Sequence, residues 1–238
     1  MNIYKTEIGE YNEFMDQYED YIYYEEDIDP FYRYGPLTNQ YWSCNPRILV
    51  CNLEPYGEAE GIIDFNIDIF VNDWMKKIKG YNANTPRYTA KFIYGLLTSI
   101  SGGVTKKVDF ANIDEVDLKK SMEKIAYLNF RVDQNTGQSK NAEYGKIREQ
   151  FENVTKNYFK GQICKLNPQI IIVSSKLGCE LFNFCFKDCN LYFHSVKKWD
   201  DKVICSINHF SRVKYDNFSE SINKIISALM TLPSSNKY

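Results

Sequence analysis

Four short stretches of the chain, 47–53, 124–130, 169–175 and 202–207, are apolar at nearly every position. A strand with one wet face alternates polar and apolar residues, whereas a strand covered on both faces reads as a continuous apolar run. These four therefore predict buried, parallel strands. Between them the period lengthens to that of a helix. Ile67, Phe70, Val71, Trp74 and Ile78 share one face of a predicted helix over 64–79. A second amphipathic helix starts near Pro86, carries Tyr88, Phe92, Leu96 and Leu97, and stops at Gly102-Gly103. Further helices are predicted over 10–24, 115–124, 142–166, 176–186 and 217–232. Helices alternating with buried strands predict an α/β fold, a three-layer sandwich of helices around a central four-stranded parallel sheet.

At 238 residues, with no Pro/Gly/Ser-rich linker, the chain is expected to form one globular unit over 45–238. An acidic, aromatic helical segment over 1–44 is expected to pack on it. No apolar stretch approaches the roughly 20 residues that span a bilayer, and the first residues show no signal-peptide pattern. The expectation is a soluble, cytoplasmic monomer with no membrane partner. Seven cysteines, an odd number without metal-ligand spacing, are expected to be reduced, structural and unliganded.

Charge changes this picture. Residues 1–30 hold ten acidic residues against Lys5 alone, a net −9, so the remaining chain carries +7 within a total of −2. A body of that charge attracts phosphate, because attraction follows local rather than summed charge. The acidic start reads either as a solvated helical face or as a segment that competes with nucleic acid or contacts a protein partner.

Candidate chemistry sits where the strands end. Glu54 follows the first run in Asn52-Leu-Glu-Pro-Tyr-Gly57, Asn129 ends the second, and His209 follows the fourth in His209-Phe-Ser-Arg-Val213. Ligands of open α/β sheets bind beyond the carboxyl ends of the strands, so these residues are expected to share one cleft. The other histidine, His194, lies in an aromatic stretch and reads as a packing residue.

In order and type these motifs resemble those of the uracil-DNA glycosylase superfamily, whose best-known branch carries Gly-Gln-Asp-Pro-Tyr-His after its first strand. The second motif is similar to Ala126-Tyr-Leu-Asn129, and the last, His-Pro-Ser followed by a wedge residue, to His209 through Val213. The resemblance covers about residues 45–232. Asn52, Gly57 and Phe210 depart from the pattern.

The resemblance implies a pocket for an extruded base and hydrolysis of its glycosidic bond, without metal or organic cofactor. Glu54 would stabilise the oxocarbenium-like state or orient water, and His209 would meet the negative charge leaving with the base. Asn129 would read the base edge, since an amide offers a donor and an acceptor together. Phe65 or Phe70 would stack on the base beside Tyr56, with Val213 as wedge and Ser211, Arg212 and Lys214 on phosphate. The competing expectations are a nucleic-acid or nucleotide-binding protein that keeps the pocket without the chemistry, and a protein-interaction module built on the acidic, tyrosine-rich start.

Overall fold

A computed structural model describes residues 3–26, 28, 31–53, 60–71, 84–102, 108–133, 141–210 and 215–232. Its strands in chain order are β1 (Phe31–Arg33), β2 (Gly35–Pro36), β3 (Ile48–Asn52), β4 (Ile62–Asp64), β5 (Ile125–Asn129), β6 (Ile170–Ser174), β7 (Val196–Trp199) and β8 (Lys202–Ile207). The helices are α1 (Ile3–Glu19), α2 (Asn84–Gly102), α3 (Glu115–Met122), α4 (Asn141–Gln150), α5 (Lys156–Leu166), α6 (Lys176–Cys185) and α7 (Tyr215–Leu229). The chain is an α/β protein, and no helix among the described residues is long and apolar enough to cross a membrane.

All residues of β3, β5 and β6 are buried, as are those of β8 beyond Lys202. These are the four apolar runs, and they lie parallel in the order β5-β3-β6-β8. The expected four-stranded parallel sheet is corrected to a six-stranded mixed one among the described residues, with β2 and β7 pairing antiparallel at its two edges. Neither edge strand shows in the sequence. β2 is two residues long, too short for a period, and β7 carries Lys197 and Lys198 where an apolar alternation would be sought. Both edges suit their residues, since proline and lysine are tolerated where one side of a strand has no neighbour.

The helices flank both faces. Along β8, Cys205 lies near Lys224 of α7, while the next residue, Ser206, faces Cys179 of α6. Successive strand residues point to opposite faces, so α7 and α6 cover opposite sides. The chain passes from β3 to β5 on one side and then crosses to β6 on the other, so the winding reverses between β3 and β6.

Other expected boundaries shift for identifiable reasons. The predicted helix over 64–79 begins only at Ile67, because Ile62–Asp64 is drawn into β4, a parallel partner of β1. Trp74 and Ile78 lie outside the described residues. The single helix expected over 142–166 is α4 and α5 joined by a π-helical turn, Phe151–Thr155. The first helix begins earlier than residue 10, at Ile3, and ends in another π turn, Asp20–Glu25.

Helix α1 packs on α5 through Tyr11, Phe14 and Met15, and its acidic side meets cations of the body. Arg47, just before β3, binds Glu7 at 2.6 Å and lies over the Trp42 ring. Arg33 in β1 binds Asp16 at 2.6 Å and Glu19 at 3.0 Å, and Lys165 reaches Glu10 at 3.4 Å. Gly161 permits the close approach of the two helices, since a Cβ there would collide with the Phe14 ring.

Gly161→Val should therefore lower the unfolding free energy by about 1–3 kcal/mol in denaturant titrations, from overpacking at the α1–α5 contact. An unchanged midpoint would mean that α1 contributes little to the core. Burial pushes the Cys205 thiol up to about 12 and the Cys189 thiol to about 11. A thiol whose folded pKa is raised stabilises the fold fully below its unfolded value and loses that contribution as pH climbs toward the folded one. Stability should fall between about pH 9 and 12, and Cys205→Val should flatten part of that fall.

Candidate functional site

Polar side chains collect at one end of the sheet. The inner strands begin on Ile48, Ile125, Ile170 and Lys202, and within their last two residues they place Asn52, Asn129, Ser174 and Ser206. Because the strands are parallel, these groups share the carboxyl edge, and Asn52 and Asn129 stand opposite each other in register. Buried amides normally find partners, since an unmet polar group away from water costs about 1–3 kcal/mol.

Asn52 obeys that rule. Its oxygen accepts from the Ser174 hydroxyl across the β3–β6 reversal, and its amide nitrogen donates to the Tyr127 hydroxyl. Both ends are occupied, so its orientation is fixed. Asn129 does not obey it. The residue is 3 % exposed, yet among the described residues neither its oxygen nor its nitrogen has a hydrogen-bond partner.

The neighbouring Tyr34 hydroxyl is buried and equally without a hydrogen-bond partner among the described residues. Burial pushes its pKa well above the ordinary phenol range, and the facing Asn129 side chain opposes that shift without completing a hydrogen bond of good geometry. Tyr34 is thus a neutral hydroxyl facing the Asn129 amide.

An aromatic wall adjoins the pair. The Phe65 ring lies 5.0 Å from Tyr34, 5.5 Å from Tyr127 and 6.3 Å from Phe70, with Phe70 5.8 Å from Tyr127. Phe65 is positioned by the end of β4, where its amide donates to the Arg33 carbonyl at 3.0 Å. The structure thus brings three expected residues, Asn129, Phe65 and Phe70, into one cluster, through Tyr34 and Tyr127, which sequence reasoning missed. Asn52 and Ser174 were missed as a bonded pair as well. The signal available for them was a polar residue closing each apolar run.

His209 lies two residues past β8 on the same carboxyl edge and is partly buried. Three strand spacings separate β8 from β5, about 14 Å between backbones, so His209 and Asn129 flank the edge rather than touch. Glu54 and Tyr56 lie outside the described residues, as do Ser211, Arg212, Val213 and Lys214.

His194 is not the packing residue the sequence suggests. It is exposed, with a φ of 62°, and lines a cavity of about 280 Å³ with Asn208, Asn217, Glu220 and Lys224. The Glu220 carboxyl is held below its usual range by the Lys224 ammonium, 2.5 Å away. Among the described residues no group of three or more His, Cys, Asp or Glu side chains is placed to hold a metal ion. Cys179 and Cys185 instead donate to the Leu191 and Lys156 carbonyls.

No protein-family model matches the chain, and no curated protein matches it.

Replacing Asn129 by the similarly sized Leu removes two unmet polar atoms and adds apolar burial. Asn129→Leu should leave the unfolding free energy unchanged or raise it by up to about 3 kcal/mol, as read by urea denaturation. A clear loss of stability would mean that the amide is a satisfied structural group.

Proposed function

We propose that this chain is a DNA base-excision glycosylase-like protein that binds an extruded base at the carboxyl edge of its sheet. The fold proposed with it is the three-layer, uracil-DNA glycosylase-like sandwich, of which the four inner strands are the parallel core. The observation that carries the reading is Asn129, a buried amide whose donor and acceptor are both unmet among the described residues, beside an aromatic wall. A planar heterocycle satisfies both demands at once. Its edge pairs with the amide and its faces lie against aromatic rings.

In the proposed reaction the bond from the sugar C1′ to the base nitrogen breaks, the electron pair leaves with the base, and water adds to C1′. Glu54 supports the positive charge on the sugar, or orients the water, from the end of β3. His209, from the end of β8, donates to the departing base. The ends of β3 and β8 lie on opposite sides of β6, so the nucleotide would lie across the strand ends. The body's positive charge outside residues 1–30 would hold the phosphates.

The altered first motif favours one second reading. Asn52 stands where the resembled family has glycine, and its side chain is tied to Ser174 and Tyr127. A protein that keeps the pocket and binds nucleic acid without cleaving it would fit that change.

The test is release of base from single- and double-stranded oligonucleotides carrying uracil, hypoxanthine, xanthine or alkylated bases. One substrate should be cleaved, and His209→Ala should slow its release about 10²–10³-fold with DNA affinity nearly unchanged. Salt-dependent DNA binding without release of any base would leave the binding reading. Absence of both would overturn the proposal.

A further inference from the structure

We infer that Tyr34 is a specificity-determining residue of the base site, its hydroxyl demanding a carbonyl on the base where an undamaged base carries an amino group. This rests on the reading of Asn129 as a base-edge reader and adds to it a discrimination that Asn129 alone cannot make. Uracil and hypoxanthine present a carbonyl beside a ring N–H. Cytosine and adenine present an amino group beside a bare ring nitrogen. An amide matches either pair by turning 180° about its last torsion, because its oxygen and nitrogen then exchange places. Asn52 is prevented from turning by Ser174 and Tyr127, whereas among the described residues no hydrogen bond holds Asn129.

Tyr34 is placed to break that symmetry. The segment from Tyr32 to Pro36 runs antiparallel along β5, with the Tyr32 amide on the Val132 carbonyl at 2.8 Å and Gly35 paired to Tyr127. Tyr34 is therefore level with the end of β5. Its ring lies 5.0 Å from Phe65 and 6.4 Å from Tyr127. Its hydroxyl is wholly buried, without a hydrogen-bond partner among the described residues, and faces the Asn129 amide.

A phenol draws its oxygen lone pair into the ring, so it donates far better than it accepts. In this position it also stays protonated. β2 lies outside β5 at the edge of the sheet, on the side away from His209. A nucleotide whose sugar lies toward β3 and β8 would turn the far side of its base toward Tyr34. The far group of a pyrimidine is the 4-position, a carbonyl in uracil and an amino group in cytosine. A carbonyl accepts the Tyr34 proton, whereas an amino group sets two donors against each other beside a buried hydroxyl. Sites built around a buried hydrogen bond reject the mismatched analogue strongly.

The experiment measures binding of the full chain, by fluorescence anisotropy, to single-stranded oligonucleotides carrying one 2′-fluorinated uracil or cytosine nucleotide. The fluorine resists oxocarbenium formation, so binding is read without cleavage. An abasic-analogue strand serves as reference. Wild type should prefer uracil over cytosine by about tenfold or more, the value of one buried hydrogen bond set against a donor clash.

Tyr34→Phe removes only an unpartnered oxygen, so its thermal unfolding should match or exceed wild type. Its preference should fall to within about threefold, with cytosine binding as well as or better than in wild type. Asn129→Ala should lose the preference of either base over the abasic strand. Retention of the full preference by Tyr34→Phe would overturn the role of Tyr34 and leave Asn129 as reader. A wild type that binds the uracil strand no better than the abasic one would overturn both.

Discussion

The four inner strands are covered on both faces, and this constraint governs where chemistry can sit. Between two layers of apolar side chains an unpaired polar group is expensive, so polar residues are displaced to the strand ends. Parallel pairing then gathers those ends on one edge. Asn52, Asn129 and Ser174 are neighbours for this reason, although tens of residues separate them in sequence. Within that group the amides divide. One is locked by its neighbours, while the other has no hydrogen-bond partner among the described residues, and this asymmetry distinguishes a structural asparagine from a candidate binding one.

The acidic start of the chain is tied into this frame by a small number of contacts. Glu7 and Trp42 clasp Arg47 at the entrance to β3, the first inner strand, and Tyr11 donates to the Tyr34 carbonyl at 2.9 Å. Gln162 of α5 donates to that same carbonyl at 2.8 Å. The backbone next to the proposed discriminating hydroxyl is thus held by side chains from α1 and α5. Part of the −9 charge is matched locally by Arg33, Arg47 and Lys165. A truncation of residues 1–30 would remove core groups such as Met15 and Ile22 along with the charge.

Much of the sheet was legible because burial on both faces leaves an unmistakable trace. The four apolar runs match β3, β5, β6 and β8 to within a residue or two at each end. Short elements left no such trace. β1, β2 and β4 have two or three residues each, and their pairing is fixed by tertiary neighbours rather than by any local period. The candidate site divides in the same way. Asn129 and Phe65 could be found, one by its strand-end position and the other by its nearness to the first motif. Tyr34 could not, because it reaches the site only through the pairing of β2 with β5. His194 misled because aromatic neighbours suggest packing, while its positive φ turns it outward.

Arg33 joins features that the sequence gives no reason to connect. Its guanidinium holds Asp16 and Glu19 and lies 3.8 Å from Asp64, while its backbone carbonyl takes the Phe65 amide. One residue therefore anchors the outer acidic helix and the aromatic wall of the proposed base site. The consequence is mechanical. A load applied to the surface of α1, by a docking protein or an added phosphate, would reach through Arg33 the ring against which the base is proposed to rest.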